Sequence, residues 1–177
     1  MKKYLLLIPA ILLVMLHKGN AQTPVAYYPF SGNTNDVSGN NLNGTLTGTH
    51  SPVLDRFGNA NSALNFNGAT RIDVADNVLL RPTNVTLTAW IYFSSTPGTE
   101  IVTVKNLANT SFESYMLFFY NGNIGGAWGN AGAVDFLTGP IPTTNQWHFL
   151  AFSFDDANDL ASLYLDGALV NTKASTL

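Results

Sequence analysis

The residues best suited to chemistry lie in a loop from Ser31 to Gly44. This segment is rich in asparagine and glycine, and it places Ser38 and Asn41 a few positions after the carboxylate of Asp36. Carboxylate, hydroxyl and amide oxygens in an irregular loop are the ligands that Ca²⁺ prefers. The pattern therefore predicts an ordered loop with a calcium site on those three residues. The alternative is an Asx turn, in which Asp36 binds its own backbone.

Aromatic residues on strands are the second group of candidates. Trp128 has glycines on both sides, and these would leave space for a ligand, although glycines also mark bulges. An exposed Trp128 would stack on a sugar ring, with Tyr120 as a second aromatic contact. Asn106 would offer an amide to sugar hydroxyl groups, while turn chemistry is the alternative reason for an asparagine there. Trp90 and Trp147 are expected to pack in the core.

The carboxylates do not have the spacing of a catalytic pair. A glycosidase needs two of them flanking the scissile bond, yet Glu100 and Glu113 are on different predicted elements. Asp155, Asp156 and Asp159 belong to a predicted hairpin loop. The sequence has no cysteine, which excludes disulfides, thiolate metal sites and cysteine nucleophiles. We therefore expect a protein that is not an enzyme.

Short strands and polar turns must position these residues. Val85–Phe93 alternates with a period of two, and Trp147–Phe154 is apolar on both faces, as in a strand at the middle of a sheet. Asn121-Gly122 and Asp166-Gly167 predict two-residue hairpins. Further strands are predicted at Val25–Phe30, Thr45–Thr49, Arg71–Val74, Ile101–Lys105, Tyr115–Tyr120, Asn123–Trp128, Ala133–Leu137, Ala161–Asp166 and Ala168–Thr172. This spacing predicts an all-β sandwich.

The segment from Asp55 to Gly68 predicts a tight turn followed by a strand. Gly58 and its neighbouring asparagines suit a chain reversal. After them Leu64 and Phe66 share one face, as in a strand with one solvated side. Asp55 is expected to close the turn, and pairing with its neighbour Arg56 is the alternative.

The N-terminus has the pattern of an export signal. Two lysines precede an apolar run from Leu5 to Leu16, and small residues end at Ala21. The run is too short for a membrane anchor, because a spanning helix needs about 20 residues. Residues 1–21 are therefore predicted to be a signal peptide and 22–177 a single secreted domain, with no transmembrane segment after signal removal.

Charge argues against nucleic acid as a partner. The formal net charge is −3, and three of the eight basic residues lie in the predicted signal peptide. A nucleic-acid binder would carry a basic patch. The many neutral polar residues instead suit hydrogen bonding to an uncharged ligand such as a glycan.

Several motifs together resemble the laminin-G-like branch of the concanavalin A-like lectin/glucanase superfamily. In order, they are VAYYPF, GN, NDVSGNNLNG, DRFGNANSALNFNG, LTAW, QWH and LYLDG. The resemblance implies a jelly roll of two antiparallel sheets and a non-catalytic module for glycans or protein partners. It also implies a structural calcium near Asp36. Family members continue past the LYLDG hairpin, so the last strands are expected beyond Leu177.

These observations predict a secreted or cell-surface recognition module, with carbohydrate as the first expected ligand. The alternatives are a protein-binding or adhesion module of a surface protein, and an N-terminal accessory domain of a larger secreted glycoside-active enzyme. The predicted ligand contacts are Trp128, Tyr120 and Asn106, and the predicted metal ligands are Asp36 and its neighbours Ser38 and Asn41.

Overall fold

The structure is a computed structural model that describes residues 22–106, 113–130 and 132–177. The predicted signal peptide, 1–21, lies outside these residues. The strands are β1 Gly44–Thr47, β2 Ser51–Val53, β3 Ala63–Asn65, β4 Arg71–Val74, β5 Val85–Tyr92, β6 Glu100–Asn106, β7 Glu113–Tyr120, β8 Asn123–Asn130, β9 Ala133–Thr138, β10 Trp147–Asp155, β11 Leu160–Leu165 and β12 Ala168–Ala174. A single 3-10 turn, Val78–Leu80, occupies the connection before β5. Among the described residues, no helix has the length and hydropathy of a membrane span.

One four-stranded antiparallel sheet has the order β12-β11-β10-β5. β10 is an inner strand, with Phe152 opposite Leu87 on β5 and Leu163 on β11. Its apolar residues on both faces predicted this inner position. β11 turns into β12 through Asp166 and Gly167, whose φ angles are 53° and 83°. Positive φ at both positions is the type I′ geometry that favours Asp-Gly.

The second four-stranded antiparallel sheet has the order β6-β7-β8-β9. β7 and β8 form the hairpin predicted at Asn121-Gly122, with φ angles of 49° and 80° at these two residues. Two smaller antiparallel pairs, β1-β4 and β2-β3, complete the described sheets.

The core lies between the two four-stranded sheets. One sheet contributes Leu150, Phe152, Ala161 and Leu163, and the other contributes Leu117, Phe119, Ile124, Trp128 and Leu137. All nine side chains are buried. On β5, the face that packs against this cluster carries Val85, Leu87, Ala89 and Ile91. This alternation leaves Trp90 and Tyr92 on the opposite face of the sheet, away from the core.

The two sheets approach closely at Gly126 in β8. A Cβ atom there would overlap with the ring of Phe152, which projects from β10 of the facing sheet. Phe152 is fully buried, so its ring has no solvent space to move into. Glycine is therefore required for packing at this position.

The prediction of a first strand at Val25–Phe30 is wrong. These residues form no ladder in the structure. The N–H of Tyr27 donates to the carboxylate of Asp36, and the carbonyl of Val25 accepts from the Ser38 hydroxyl. Pro29 has no N–H, and Phe30 has a φ of 56°, which breaks the extended conformation. Side chains of the following loop thus replace a neighbouring strand.

The strand predicted in the second half of the Asp55–Gly68 segment is shorter than expected. β3 ends at Asn65 and pairs only with β2. Ala63, and not Phe66, is its buried residue; the side chain of Phe66 is 48% exposed. The strand following it, β4, has the predicted bounds Arg71–Val74.

Candidate functional site

Asp36 sits within the Ser31–Gly44 loop as an acceptor for the backbone. Its Oδ1 atom accepts hydrogen bonds from the N–H groups of Tyr27 and Ser38, both at 2.9 Å. Its Oδ2 atom accepts from the Leu42 N–H at 3.0 Å and from the Ser38 hydroxyl at 2.8 Å. A carboxylate offers about four lone-pair directions, and four donors are present. We call this arrangement the Asp36 clamp.

The same donors set the acidity of the clamp. Partial burial raises the pKa of Asp36. The four hydrogen bonds from the clamp donors have a larger and opposite effect, and the resulting pKa is about 2. Hydrogen bonds to the charged form favour that form. Asp36 is consequently ionised down to strongly acidic pH.

The Asp36 clamp does not fit the predicted calcium site, because its oxygens already accept two hydrogen bonds each. Ser38 belongs to the clamp, and Asn41 is an exposed turn residue with a φ of 58°. Within the part of the chain that the structure describes, no group of three or more His, Cys, Asp or Glu side chains could hold a metal. Calcium binding at this loop stays a prediction. The hydrogen bonds agree with the alternative, a local backbone role.

Trp128 is in the core and not on an accessible surface, so the predicted sugar platform on its ring is contradicted by its burial. Its side chain is 3% exposed. Phe152 and Phe154 stack on it at centroid distances of 6.1 and 5.4 Å. Its indole N–H donates to the Ser175 hydroxyl at 2.9 Å. The ring stabilises the contact between the sheets.

The glycines beside Trp128 make room for the protein's own rings. A Cβ atom on Gly125 would overlap with the ring of Phe118, its partner on β7. A Cβ atom on Gly126 would overlap with Phe152 from the facing sheet. The space predicted for a ligand is therefore filled by core side chains.

Tyr120 and Asn106, the other two predicted ligand contacts, lie at opposite ends of the same sheet. Tyr120 is 53% exposed at the tip of the β7-β8 hairpin. Trp128 pairs with Tyr115 at the far end of that hairpin, so the structure does not bring Tyr120 and Trp128 together. Asn106 is the last residue of β6, and its side chain lies outside what the structure describes.

Four aromatic rings, two of them exposed and two half-buried, lie on the other sheet, on the face away from the core. We call Trp90, Tyr92, Trp147 and Phe149 the aromatic surface. Trp90 pairs with Phe149, and Tyr92 pairs with Trp147; the centroid distances are 5.3 and 5.8 Å. Trp90 and Tyr92 are 45% and 50% exposed. The expectation of a core position for Trp90 is therefore wrong, and Trp147 is only partly buried.

Small hydroxyl side chains continue this face beyond the aromatic surface. Thr88 and Thr86 follow Trp90 toward the start of β5, and both are exposed. Ser153 on β10 pairs with Thr86 on one side and with Ser162 on the other. The two threonines thus present hydroxyl groups beside the aromatic surface, whereas Ser162 is buried.

His148 fixes the strand that carries two of the aromatic rings. It is 3% exposed, and its Nδ1 atom lies 2.8 Å from Oδ2 of Asp166 while its Nε2 atom lies 2.9 Å from the Thr143 carbonyl. Asp166 also accepts the N–H of Phe149 at 2.9 Å. The adjacent Trp147 and Phe149 are thereby held at a defined position on the sheet.

Arg56 reaches the edge of the aromatic surface from the turn before β3. Its guanidinium carbon lies 4.6 Å from the ring centroid of Trp90 and 4.2 Å from that of Phe57. The expected structural role of Asp55 is seen: its carboxylate accepts the N–H groups of Phe57 and Asn59 at 2.9 and 2.8 Å and the Asn59 side-chain amide at 3.0 Å. Asp55 closes the turn and forms no ion pair with Arg56.

The two glutamates weighed for catalysis lie at opposite ends of one strand ladder. Glu100 pairs with Phe119 at one end of the β6-β7 ladder, and Glu113 pairs with Asn106 at the other. Asp155 accepts the N–H of Ala157 and the amide of Asn158, which commits it to the hairpin turn.

Comparison with known proteins identifies the family of the chain. The Laminin_G_3 family, described as the Concanavalin A-like lectin/glucanases superfamily, matches residues 66–177. The comparison with curated proteins gives no match.

Solved structures have the same fold at low sequence identity. Domain 4 of AbnA, a GH43 extracellular arabinanase from Geobacillus stearothermophilus solved with arabinotriose, matches with a TM-score of 0.63 and 20% identity over 86% of this chain and 75% of that one. The binding domain of botulinum neurotoxin DC, solved with rat synaptotagmin II, gives 0.56 and 14% over 85% and 39%.

A third structure, the CBM40 of the Ruminococcus gnavus IT-sialidase solved with alpha2,3 sialyllactose, gives a TM-score of 0.43 and 16% identity over 52% of this chain. The match spans about half of that chain, 53%. At these identities the two matches with TM-scores of 0.63 and 0.56 show the fold alone. Since the family match covers more than half of the sequence and the described strands form two facing antiparallel sheets, the chain belongs to the Laminin_G_3 family of the concanavalin A-like lectin/glucanase superfamily.

Proposed function

We propose that this chain is a secreted or cell-surface recognition module, without catalytic activity, that binds carbohydrate on the aromatic surface. The observation that carries the proposal is the pair of cross-strand aromatic contacts on one sheet face, in which Trp90 and Tyr92 are exposed and their partners are half-buried. Exposed apolar patches with a polar rim mark interaction sites on soluble proteins. Aromatic rings can stack on the C–H faces of sugars, and the adjacent threonine and serine hydroxyls can bond to sugar hydroxyl groups.

The geometry along the strands supports a chain-like ligand. Trp90 and Tyr92 are two residues apart on β5, as are Trp147 and Phe149 on β10, so the two ring pairs are separated by about 7 Å. This distance is of the order of one sugar unit. The arabinanase domain, which has the same fold, was solved with a short sugar chain, arabinotriose. This similarity supports carbohydrate as the ligand class. It also supports a role for the chain as an accessory domain of a larger enzyme.

Replacement of Tyr92 by alanine is the direct test. We expect affinity for the best ligand on a glycan array, measured by calorimetry, to fall about tenfold, because a stacked ring contributes about 1.5 kcal/mol. The same substitution at Tyr120, which is 53% exposed against 50% for Tyr92, is the matched control and should leave affinity unchanged. A loss for Tyr120→Ala alone would move the site to the β7-β8 hairpin, as the sequence predicted.

A protein partner is the second candidate, because an exposed aromatic face is also typical of protein interfaces. The neurotoxin binding domain with this fold was solved with synaptotagmin. This alternative predicts a blank glycan array and retention of a protein partner that Tyr92→Ala abolishes.

A further inference from the structure

We propose that Arg56 makes the aromatic surface selective for sugars that bear a carboxylate. This inference rests on the proposed function and names the class of ligand. It starts from the position of one guanidinium group, which contacts two exposed rings at the border of the surface.

The stacking fixes Arg56 without using its hydrogen-bond donors. The guanidinium carbon is 4.6 Å from the Trp90 centroid and 4.2 Å from the Phe57 centroid, which are cation–π distances. The five N–H donors of a guanidinium lie in one plane. Among the described residues, no carboxylate lies within ion-pair distance of Arg56.

The neighbouring acids are already committed to other contacts. Asp55 binds Phe57 and Asn59 through three hydrogen bonds. Asp166, at the other side of the surface, binds His148 and the Phe149 N–H. The neighbouring residues of this face on β5 and β10, Thr86, Thr88, Ala151 and Ser153, are uncharged. Arg56 is thus a cation with free planar donors beside a stacking surface.

A carboxylate is the group that this arrangement fits. Guanidinium donors match a carboxylate in a paired, planar geometry, which a lysine ammonium cannot reproduce. A sugar ring bound on the aromatic surface beside Arg56 would place a ring carboxylate at the edge of the guanidinium. Uronic acids and sialic acids share this chemistry, and the experiment separates them.

The test compares ligands that differ only in charge. Oligogalacturonate and its fully methyl-esterified form have the same sugar rings, and oligosialic acid represents the second source of carboxylate. Poly-glutamate supplies carboxylates without sugar. Titrations of the full chain at low ionic strength, followed by calorimetry, should give at least tenfold tighter binding of one acidic glycan than of the methyl ester, and no binding of poly-glutamate.

Two substitutions of Arg56 test whether this residue causes the preference for the acidic glycan over the methyl ester. Arg56→Gln should abolish the preference, whereas Arg56→Lys should retain only a small, salt-sensitive part of it. Both variants should keep the melting temperature, since the side chain is exposed. Equal affinity for acid and ester, or binding of poly-glutamate as tight as that of the glycans, would overturn the inference.

A failure of the proposed carbohydrate binding gives a different result from a failure of the selectivity inferred for Arg56. If Tyr92→Ala leaves all glycan binding unchanged, or no glycan binds at all, the proposed carbohydrate surface itself is wrong. If neutral glycans bind through Tyr92 but Arg56→Gln changes nothing, only the selectivity inferred for Arg56 is wrong.

Discussion

Replacing Gly126 with alanine is expected to lower the free energy of unfolding by about 3 kcal/mol, at the upper end of the usual cost of overpacking a core. The added methyl group would overlap with the ring of Phe152. That ring is fully buried and stacks on Trp128 at 6.1 Å, so it cannot move without displacing a second large side chain. Chemical denaturation, with near-UV circular dichroism to follow the tryptophan environment, measures the effect.

The chain offers a matched control for this substitution. A Cβ atom on Gly98 would meet nothing within 4 Å, so Gly98→Ala should leave stability unchanged or slightly raised. Shortening the opposing ring should relieve the overlap, so Gly126→Ala combined with Phe152→Leu should cost less than the sum of the two single changes. Equal unfolding midpoints for Gly126→Ala and Gly98→Ala would show that the sheets are not in contact at this point.

Trp128 illustrates why sequence reasoning placed a buried ring on an accessible surface. Glycines on both sides of an aromatic residue can indicate an open binding site or a tightly packed ring, and the difference lies in the facing strand. Here the facing strand supplies Phe152 and Phe154, which cover the indole. These residues are more than twenty positions away along the chain, so no local pattern around Trp128 reports them.

The same limit applies to Trp90. Alternation along β5 separates its residues into two faces. It correctly places Trp90 and Tyr92 on one face and Leu87 and Ile91 on the other. Both faces carry large aromatic or aliphatic side chains, however, so the pattern at Trp90 does not say which face is buried. The answer depends on the side of the sheet against which β7 and β8 pack, which is a property of the whole fold.

Features encoded by neighbouring residues were predicted well. The Asn-Gly and Asp-Gly hairpins follow from positive φ at two adjacent positions. The inner position of β10 follows from apolar side chains on both of its faces. The segment Val25–Phe30 has a strand-like composition, but the donors and acceptors of the Asp36 loop bind its backbone. A sequence pattern that indicates an extended segment does not identify its hydrogen-bond partner.

Replacing Asp36 with alanine is the second change with a large expected effect. It would leave the N–H groups of Tyr27 and Leu42 without their acceptor and detach the N-terminal segment from the loop. Hydrogen bonds to a charged group contribute about 1.5–3 kcal/mol, and we expect the free energy of unfolding to fall by roughly 2–3 kcal/mol. Thermal melting at neutral pH should show a decrease of about 5–10 °C.

The pH dependence distinguishes this contribution from a general loss of packing. The folded-state pKa of Asp36 is about 2 and its ordinary value is 3.8. The stability it contributes is therefore present above the ordinary value and is lost as the pH falls through that value toward 2. The difference in stability between the wild type and Asp36→Asn should be constant above about pH 5 and should shrink below pH 4.

Metal dependence then separates the two interpretations of Asp36. Because each carboxylate oxygen already accepts two hydrogen bonds, we expect the melting temperature to be the same in chelator and in millimolar Ca²⁺. The opposite result, a rise with Ca²⁺ that Asp36→Asn abolishes, would mean that the ion displaces donors such as the Ser38 hydroxyl and that the predicted calcium site exists. Equal melting of wild type and Asp36→Ala in both conditions would contradict the clamp and the calcium site together, since both need this carboxylate to hold the loop.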